Sequence, residues 1–374
     1  MNKRKKTHPF VSIIIVNLNG EKYLKDCLGS LLNMKYPSDK FEIILVDNGS
    51  TDDSLEYTRK EFSVVKIIKN NENNYAKANN LGIKQSKGEY VALLNNDTKV
   101  EENWLIELLK VIESDNKIGA VGTKLLLPDG KIQNAGHIAL PNFYWGERGF
   151  GEENLKYNEI EEMDSLCGAA VLYRKKLFRE IGHFDENFVI YMEDVDMAFR
   201  LRKNGWKVVF VPTSIVYHFF HGSGNNDLSR FYIERNRLLF IAKHYPDKLE
   251  SALMGNGYFS AQNKLDYLGK IYDILPDVII KLQENHDVKI VKSALDGLMR
   301  ELMKITNCEN NALVKEILAL KDNYEQKSRY LQKREIESSS IQKELSQAQT
   351  ELTQAKDLLA KKETELSESR STLG

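Results

Sequence analysis

Polar side chains that could bind a ligand follow four apolar segments in the first hundred residues of the 374-residue chain. Each segment has the pattern of a buried β-strand. The polar residues after them are Asn17 and Asn19, then residues 47–50, 70–74 and 95–97. Asn or Asp at one such position suits a helix N-cap equally well. Four sets in succession favour a ligand site along one edge of a sheet.

Two other segments carry residues that could do chemistry. Glu193, Asp194 and Asp196 begin a segment with helical spacing, and His218 and His221 precede a glycine-containing stretch. Acidic residues in a first turn stabilise a helix through its dipole, but a carboxylate near a reacting hydroxyl is also what general base catalysis requires. Lone histidines are usually structural, whereas two beside a loop are consistent with a metal or phosphate site. The residues alone leave these alternatives open.

The elements that must position these residues alternate between strand and helix. Strands are predicted at 11–16, 41–47, 64–70 and 89–95, each followed by a helix. Continuous apolar runs are typical of parallel strands buried on both faces. We therefore predict an α/β domain with a mostly parallel, Rossmann-like sheet flanked by helices. Further along, we predict a hairpin at 129–130, two short strands at 206–212 and 214–218, and mostly helix from 228 to 310.

The last segment of the chain has a different pattern. From Leu313 to Leu366, apolar residues recur at alternating steps of three and four in a polar background, which predicts a coiled coil. Lys327, Arg334 and Ser338 weaken the seam at its middle, and a solvated helix or a disordered tail is the alternative. We predict a domain at 1–245, a helical extension at 246–310 and a coiled coil at 311–374 that makes the protein a homo-oligomer.

Composition excludes several classes of protein. The net charge of −1 provides no basic face for nucleic acid. The three cysteines are widely spaced, which argues against disulfides or a zinc site and fits a reducing cytoplasm. Neither a glycine-rich dinucleotide motif nor a P-loop is present. No apolar stretch is long enough to span a bilayer, and the basic residues 2–6 are a solvated tail or a weak contact with anionic lipid. We expect a cytoplasmic protein, peripheral at the inner face of the cell membrane if those basic residues touch lipid.

Eight segments, taken in this order, resemble family 2 glycosyltransferases of the GT-A fold. They are VSIIIVNLNG, ILVDNGSTDDS, NNYAKANNLGI, YVALLNNDTKV, CGAAVLYRKKLF, GHFDENFVIYMEDVDMAFRLRKNGW, VYH and RFYIERNRLLFIAKHYP. The resemblance extends from about Val11 to about Tyr245. It implies an inverting enzyme that uses a nucleotide-sugar donor.

The resemblance also implies roles for individual residues. NND stands where the family has its DxD motif, so Asp97 is expected to bind Mn²⁺ or Mg²⁺ with His218, or with His221 in its place. Asn95 departs from the pattern because it carries no charge. Asp194 is the expected catalytic base, with Glu193 as its neighbour. Donor-binding residues are expected to be Val16, Asn19, Asp47, Lys77, Asn80, Asn95 and Asn96. The acceptor side is expected to contain Cys167, Gly168 and Ala169, and Arg235 is a further candidate.

The segments DGKIQNAG and RNRLLF resemble the rhamnosyltransferase branch of the family. This implies dTDP-L-rhamnose as the donor and a hydroxyl of a surface polysaccharide or lipid-linked glycan as the acceptor. A UDP-sugar, such as UDP-galactofuranose or a UDP-N-acetylhexosamine, is the alternative donor. A hypothesis from a different functional class is a catalytically inactive domain that acts as a coiled-coil scaffold. The missing first acid of the metal motif favours this hypothesis.

Overall fold

The computed structural model of the protein describes residues 8–219, 227–253 and 264–306, together with Ala319. The strands are β1 (Val11–Asn17), β2 (Phe41–Asp47), β3 (Lys66–Lys69), β4 (Tyr90–Asn95), β5 (Thr98–Val100), β6 (Ile118–Leu126), β7 (Ile132–Asn134), β8 (His137–Ala139), β9 (Trp145–Glu147), β10 (Glu161–Glu162), β11 (Ala170–Arg174) and β12 (Lys207–His218). The helices are α1 (Glu21–Leu32), α2 (Ser54–Glu61), α3 (Tyr75–Gln85), α4 (Trp104–Ile112), α5 (Leu177–Glu180), α6 (Glu193–Lys203), α7 (Asp227–His244), α8 (Leu249–Leu253), α9 (Lys264–Asn285) and α10 (Val288–Thr306).

The main sheet has the strand order β10-β12-β6-β11-β4-β1-β2-β3. Strands β4, β1, β2 and β3 are parallel to one another. Strand β11 is antiparallel to both β4 and β6, so β6 and its parallel partner β12 run in the direction of β1. In the described part of the chain, six of these eight strands therefore end at the same edge. The predicted mostly parallel sheet is confirmed.

Alternate residues of β1 face opposite sides of the sheet. Ile13 and Ile15 belong to the apolar cluster that includes residues of α1 and α4, while Ile14 belongs to the cluster that includes α3 and α6. Because both faces are covered by helices, the strand sequence is continuously apolar. Burial of one such side chain contributes about 1.5–3 kcal/mol, and Ile14→Ala would cost about 2–5 kcal/mol.

Strands β6 and β7 form the hairpin predicted at residues 129–130. Gly130 has a φ of 85°, which glycine adopts without steric cost. The prediction of two separate strands after Trp206 is wrong, because β12 is continuous and its register with β6 shifts between Val211 and Ile215. Pro212 lacks a backbone N–H, and the irregular register accommodates it without ending the strand.

The chain divides into two compact units after Glu284. The first unit contains the sheet and also α7, α8 and most of α9, so the domain boundary at 245 stays a prediction. Within this unit, Arg235 of α7 pairs with Asp277 of α9. The second unit contains α10. The predicted coiled coil lies outside the described residues, apart from Ala319. Among the described helices, none has the length and apolar character that crossing a bilayer requires.

Candidate active site

The carboxyl ends of β1, β2 and β4 lie side by side at one edge of the sheet. In the parallel register, Asn17 is opposite Asp47 and Val16 is opposite Asn95. Asn17, Asp47 and Val16 are buried, and Asn95 is half-buried. Ligands of open α/β sheets bind at such an edge. The structure therefore brings together the strand-end residues on which the predicted ligand site depends.

Amide side chains that follow the strand ends form a hydrogen-bond network, which we call the amide edge. Its members are Asn17, Asn19, Asn48, Asn70, Asn74 and Asn96. Asn96 Nδ2 donates to Asn17 Oδ1 (2.8 Å), and Asn17 Nδ2 donates to Ser50 Oγ (3.0 Å). A side chain at Gly20 would overlap the Asn96 amide and Asn17 Oδ1. Glycine at position 20 therefore allows the loops after β1 and β4 to approach.

Asn19 ties the loop after β1 to the loop after β2. Its φ of 51° lies in the left-handed region, where asparagine is enriched. Its Oδ1 accepts hydrogen bonds from the backbone N–H groups of Thr51 (2.7 Å) and Asp52 (3.3 Å). In the same loop, Asp47 Oδ1 accepts from the N–H of Ser50 (3.3 Å). These two predicted donor-binding side chains thus shape the loops at the strand ends.

The loop after β3 is fixed by the same chemistry. Asn48 Oδ1 accepts from Asn70 Nδ2 (2.7 Å) and from the N–H of Asn74 (3.3 Å). Asn74 is the N-cap of α3, and its Oδ1 accepts from the N–H of Lys77 (2.9 Å). Capping of this kind contributes about 1 kcal/mol. Lys77 is half-exposed and forms an ion pair with Glu72, so its ammonium lies beside the amide edge.

Asn80 makes contacts that the sequence did not predict. Its Nδ2 donates to the Phe184 carbonyl and to Glu186 Oε1 (2.9 Å each), and its Oδ1 accepts from the Phe184 N–H (3.0 Å). The side chain is 2% exposed. Asn80 therefore holds the segment that leads to α6, and its contact with a nucleotide stays a prediction.

Asp97 and His218 meet where β5 pairs with the end of β12. His218 Nε2 lies 3.0 Å from Asp97 Oδ1, and the two side chains are 7% and 16% exposed. His218 Nδ1 lies 2.7 Å from Gln133 Oε1. No group of three His, Cys, Asp or Glu side chains in the described residues is placed to hold a metal ion. His221 lies outside the described residues.

Asn95 accepts a hydrogen bond from the hydroxyl of Tyr75 (2.9 Å). Burial, followed by the nearby charges of Glu193 and Asp194, raises the pKa of the Tyr75 phenol. The phenol therefore stays protonated and donates. An amide oxygen accepts this bond without adding another negative charge near the two acids, which is a physical reason for asparagine at position 95.

The first turn of α6 carries the predicted catalytic acids. Asp194 Oδ2 accepts from the N–H of Gly168, and its Oδ1 accepts from the N–H of Val195, both at 2.8 Å. A carboxylate has about four lone-pair sites, so each oxygen can accept a further hydrogen bond. Gly168 precedes Ala169, whose carbonyl accepts from the N–H of Asn95 (2.9 Å). Asp194 is therefore connected to the strand end that leads to the metal motif.

Glu193 differs from its neighbour Asp194 in being buried, with 5% exposure. Its Oε2 atom has no hydrogen-bond partner among the described residues. Burial, and then the charge of Asp194, raises the pKa of Glu193 well above its usual range. A buried carboxyl without a partner favours its neutral form. Glu193 is thus poorly suited to accept a proton, whereas the half-buried Asp194 is accessible.

Asp196, two residues after Asp194, has a lowered pKa, in contrast to Glu193. It is fully buried, which alone would raise its pKa, but a hydrogen bond from His244 and the charges of Arg200 and Lys243 lower that pKa below its usual range. Arg200 Nε and Lys243 Nζ lie 2.8 Å and 2.9 Å from its oxygens. Asp196 therefore anchors α6 to α7.

The backbone before α6 is held in an uncommon conformation. Positive φ values occur at Val189 (62°), Tyr191 (69°) and Met192 (66°). Such conformations cost of order 1–3 kcal/mol each and persist only when the surroundings hold them. Asn236 of α7 is fully buried, and its Nδ2 lies 2.7 Å from three backbone carbonyls of residues 188–191. Arg235 donates to the neighbouring Asn187 carbonyl (2.7 Å). The predicted site residue Arg235 and the unpredicted Asn236 both position the loop.

A small hairpin of β8 and β9 adds residues that sequence reasoning missed. Glu147 is opposite His137 in this hairpin. Burial raises the pKa of Glu147. The nearby charge of His218 lowers this pKa, and that of Asp194 raises it. Burial lowers the pKa of His137, with Asp194 nearby. The QNAG segment enters the sequence prediction only through the family resemblance, and its spacing gives no reason to single out Gln133.

The remaining acceptor-side residue, Cys167, is half-buried. Burial, and then the charge of Asp194, raises the pKa of its thiol well above the usual range. The thiol is therefore protonated at neutral pH. Together with Gly168 and Ala169 it precedes β11, which begins at the same edge of the sheet because it runs against β4.

The part of the chain that carries this site is similar to known proteins. Residues 12–182 match the family model described as Glycosyl transferase family 2. A relative is the O-antigen biosynthesis protein RfbC of Myxococcus xanthus, 32% identical over 227 residues, which are 56% of this chain and 17% of that protein. The N-acetylglucosaminyl-diphospho-decaprenol L-rhamnosyltransferase of Mycobacterium tuberculosis is 27% identical over 231 residues, 54% of this chain and 75% of that protein. Of the first two curated relatives the chain spans only 17% and 24% of the length.

Two solved structures show the fold. The structure of GalNAc-T7 with UDP, GalNAc and Mn²⁺ has a TM-score of 0.55 and 19% identity, and covers 72% of this chain and 55% of that chain. The structure of Staphylococcus aureus TarS 1-349 with UDP-GlcNAc has a TM-score of 0.52 and 18% identity, and covers 79% of this chain and 90% of that chain. The fold is therefore GT-A-like.

Proposed function

We propose that the protein is an inverting glycosyltransferase that moves a sugar from a nucleotide-sugar to a hydroxyl of a surface polysaccharide or lipid-linked glycan. The observation that carries this proposal is the connection between Asp194 and the metal motif. Asp194 binds the N–H of Gly168, and the next residue, Ala169, pairs with Asn95, two positions before Asp97. A candidate base and candidate metal ligands therefore belong to one rigid edge of the sheet.

The Asp97–His218 pair fits a divalent cation. Asp97 Oδ1 and His218 Nε2 would together hold the cation, since the two atoms lie 3.0 Å apart. Two protein ligands suffice for Mn²⁺ or Mg²⁺ when phosphates and waters complete the shell. Such a cation would neutralise the charge that builds on the departing diphosphate.

In the proposed reaction, Asp194 accepts the proton of the acceptor hydroxyl while that oxygen attacks the anomeric carbon. The bond from this carbon to the diphosphate oxygen breaks as the new glycosidic bond forms, and the diphosphate leaves from the opposite face. One displacement inverts the configuration without a covalent intermediate, unlike the two-step retaining glycosidases. The loop at 188–192 holds Asp194 in place, and the amide edge positions the donor.

L-Rhamnose from dTDP-L-rhamnose is the proposed sugar and donor. The similarity to the mycobacterial L-rhamnosyltransferase, of which the chain covers 75%, supports this choice. A UDP-sugar is the second candidate, and the likeness to the Staphylococcus aureus poly-beta-1,6-N-acetyl-D-glucosamine synthase, 24% identical over 221 residues, favours it. A scaffold without catalysis is the third, since Asn95 replaces the first acid of the metal motif. We further propose peripheral attachment to the membrane and self-association through residues 311–374.

A donor screen tests this function. The protein would be incubated with Mn²⁺ and dTDP-L-rhamnose, UDP-galactofuranose or UDP-N-acetylglucosamine, with and without a lipid-linked diphosphate-sugar acceptor, while released nucleoside diphosphate is measured. We expect release from dTDP-L-rhamnose that Asp194→Asn abolishes. Release from a UDP-sugar alone would replace the donor, and release from none of them with acceptor present would favour the scaffold.

A further inference from the structure

Gln133 of β7 lies between two ionisable side chains of the site. The residue is 1% exposed. Its Oε1 lies 2.7 Å from His218 Nδ1, and its Nε2 lies 3.4 Å from Glu147 Oε1. Glu147, Gln133, His218 and Asp97 thus form one chain of polar contacts that ends at the proposed cation site. Neither the family resemblance nor the relatives assigned a role to Gln133 or Glu147.

The direction of the hydrogen bonds in this chain follows from the chemistry of its members. The Gln133 amide directs its NH₂ group to Glu147, whose carboxyl oxygen accepts. The amide oxygen then faces His218, and this oxygen also only accepts. His218 Nδ1 therefore carries a proton, and in the neutral ring this leaves a lone pair on Nε2.

The lone pair on Nε2 faces an oxygen of Asp97 at 3.0 Å. Two electron-rich atoms at this separation repel each other unless a proton or a cation lies between them. The same separation suits two neighbouring ligands of one divalent cation. In metal sites generally, a histidine ligand donates its second ring N–H to a fixed acceptor, which sets the tautomer and the ring orientation.

The fold makes Gln133 a rigid acceptor. Strand β7 is paired with the end of β6 through Leu125 and Leu126, and the backbone N–H of Ile132 bonds to the Glu152 carbonyl (2.8 Å). Glu147 is at the end of β9, where it is paired with β8. Both partners in the chain of contacts are therefore on strands, and neither depends on a long loop.

We propose that Gln133 is a positioning residue of the metal site. Held by Glu147, it fixes the tautomer of His218 that offers Nε2 to a divalent cation together with Asp97. This inference rests on the proposed metal-dependent function.

The first test measures Mn²⁺ affinity by the electron paramagnetic resonance signal of free Mn²⁺, in the presence of a nucleoside diphosphate. Gln133→Met has nearly the same length and no acceptor. We expect it to weaken Mn²⁺ binding about 10- to 100-fold, the usual effect of losing such an outer partner. The double variant Gln133→Glu/Glu147→Gln exchanges the two functional groups and keeps an acceptor for Nδ1–H, so it should bind within about threefold of wild type, far short of the loss expected for an outer partner.

A matched control separates positioning from general damage to the fold. Thr123 Oγ1 makes a buried hydrogen bond to Ser214 Oγ (2.9 Å) on the neighbouring strand. Thr123→Val removes a buried hydrogen bond without touching His218, and it should leave Mn²⁺ affinity unchanged. Unchanged affinity in folded Gln133→Met would overturn the inference while leaving the metal role intact. Wild-type protein that binds no Mn²⁺ would instead overturn the metal role itself.

The second test makes its measurement on the wild-type protein and uses a variant only to identify the signals. Long-range ¹⁵N NMR spectra of wild-type protein with Mg²⁺ and a nucleoside diphosphate report which ring nitrogen of each histidine carries the proton, and His218→Gln identifies the His218 signals by their disappearance. With the cation bound, we expect the proton on Nδ1. A proton on Nε2 in the wild-type protein would overturn the inference.

Discussion

The amide edge and the first turn of α6 approach the same sheet edge but are built in different ways. The amide edge consists of neutral side chains that bond to one another and to nearby backbone, such as Asn17 to Asn96 and Asn74 to the first turn of α3. The first turn of α6 places carboxyls at three of its four positions. Among these acids, Glu193 has a raised pKa and Asp196 has a lowered pKa. Its backbone before the helix has positive φ at non-glycine residues.

In the proposed function, this difference separates binding from chemistry. A network of amides orders loops without placing net charge where an anionic donor would lie, whereas distinct roles for adjacent acids require distinct environments. In α6, burial keeps Glu193 neutral, basic partners keep Asp196 ionised, and Asp194 lies between them with accessible oxygens. Two of the basic partners of Asp196, Lys243 and His244, come from α7, which lies further along the chain.

Removal of the cation should have the largest effect on the donor side. We expect a chelator to abolish transfer, and Mn²⁺ or Mg²⁺ to restore it. Asp97→Ala should lower kcat/KM by at least about 100-fold, since a cation supplies several kcal/mol of charge stabilisation in the transition state. The measurement is steady-state release of nucleoside diphosphate, with Asp247→Ala as an exposed control. Full activity in chelator would contradict the metal role.

Loss of the Asn236 hydrogen bonds that hold the loop before α6 should have the second-largest effect. Asn236→Leu leaves backbone carbonyls of residues 188–191 without their donor, and each buried polar group left unpaired costs about 1–3 kcal/mol. We expect a lower free energy of unfolding by urea, and kcat that falls more than donor affinity because Asp194 loses its position. Asn204→Ala removes a comparable but exposed bond to the Arg200 carbonyl and should change neither. Equal losses of kcat and donor affinity would contradict a role confined to the base side.

The buried Glu193 should make stability depend on pH in a defined direction. In the unfolded chain this carboxyl loses its proton near its ordinary pKa of about 4.3, but in the folded protein its pKa is raised. Across that interval unfolding releases a proton, so this group lowers stability as pH rises. Glu193→Gln should therefore raise the free energy of unfolding at pH 7–8, and the gain should shrink toward pH 4. A gain that is the same at every pH would mean that Glu193 is ionised in the folded protein.

Removal of residues 311–374 should have the smallest effect on catalysis. Every candidate site residue precedes position 245, so we expect unchanged transfer to a soluble acceptor. The oligomeric state, measured by light scattering, should fall if the predicted coiled coil assembles the protein. A folded but inactive truncated protein would show that the two parts are coupled.

The sheet and the amide edge could be predicted because their signals are local in sequence. Apolar runs such as 90–94 and the polar residues directly after them determine both the strand and its functional end. Asn236 and Gln133 could not be found in this way, because their roles depend on where α7 and β7 pack. The strand division at 212 failed for a similar reason: proline marks a lost hydrogen bond, but only the pairing with β6 decides whether the strand continues.

Donor binding and turnover, measured together on Asp194→Asn and Glu193→Gln, test the central claim most directly. Asp194→Asn keeps the size of the side chain and removes its basicity. Turnover should fall by roughly 10²- to 10⁴-fold, the usual contribution of general base catalysis, while donor affinity by calorimetry stays near that of wild type. Glu193→Gln should have a much smaller effect on turnover, because Glu193 is already neutral. Near-normal turnover of Asp194→Asn, or a larger loss in Glu193→Gln, would contradict the assignment of Asp194 as the base.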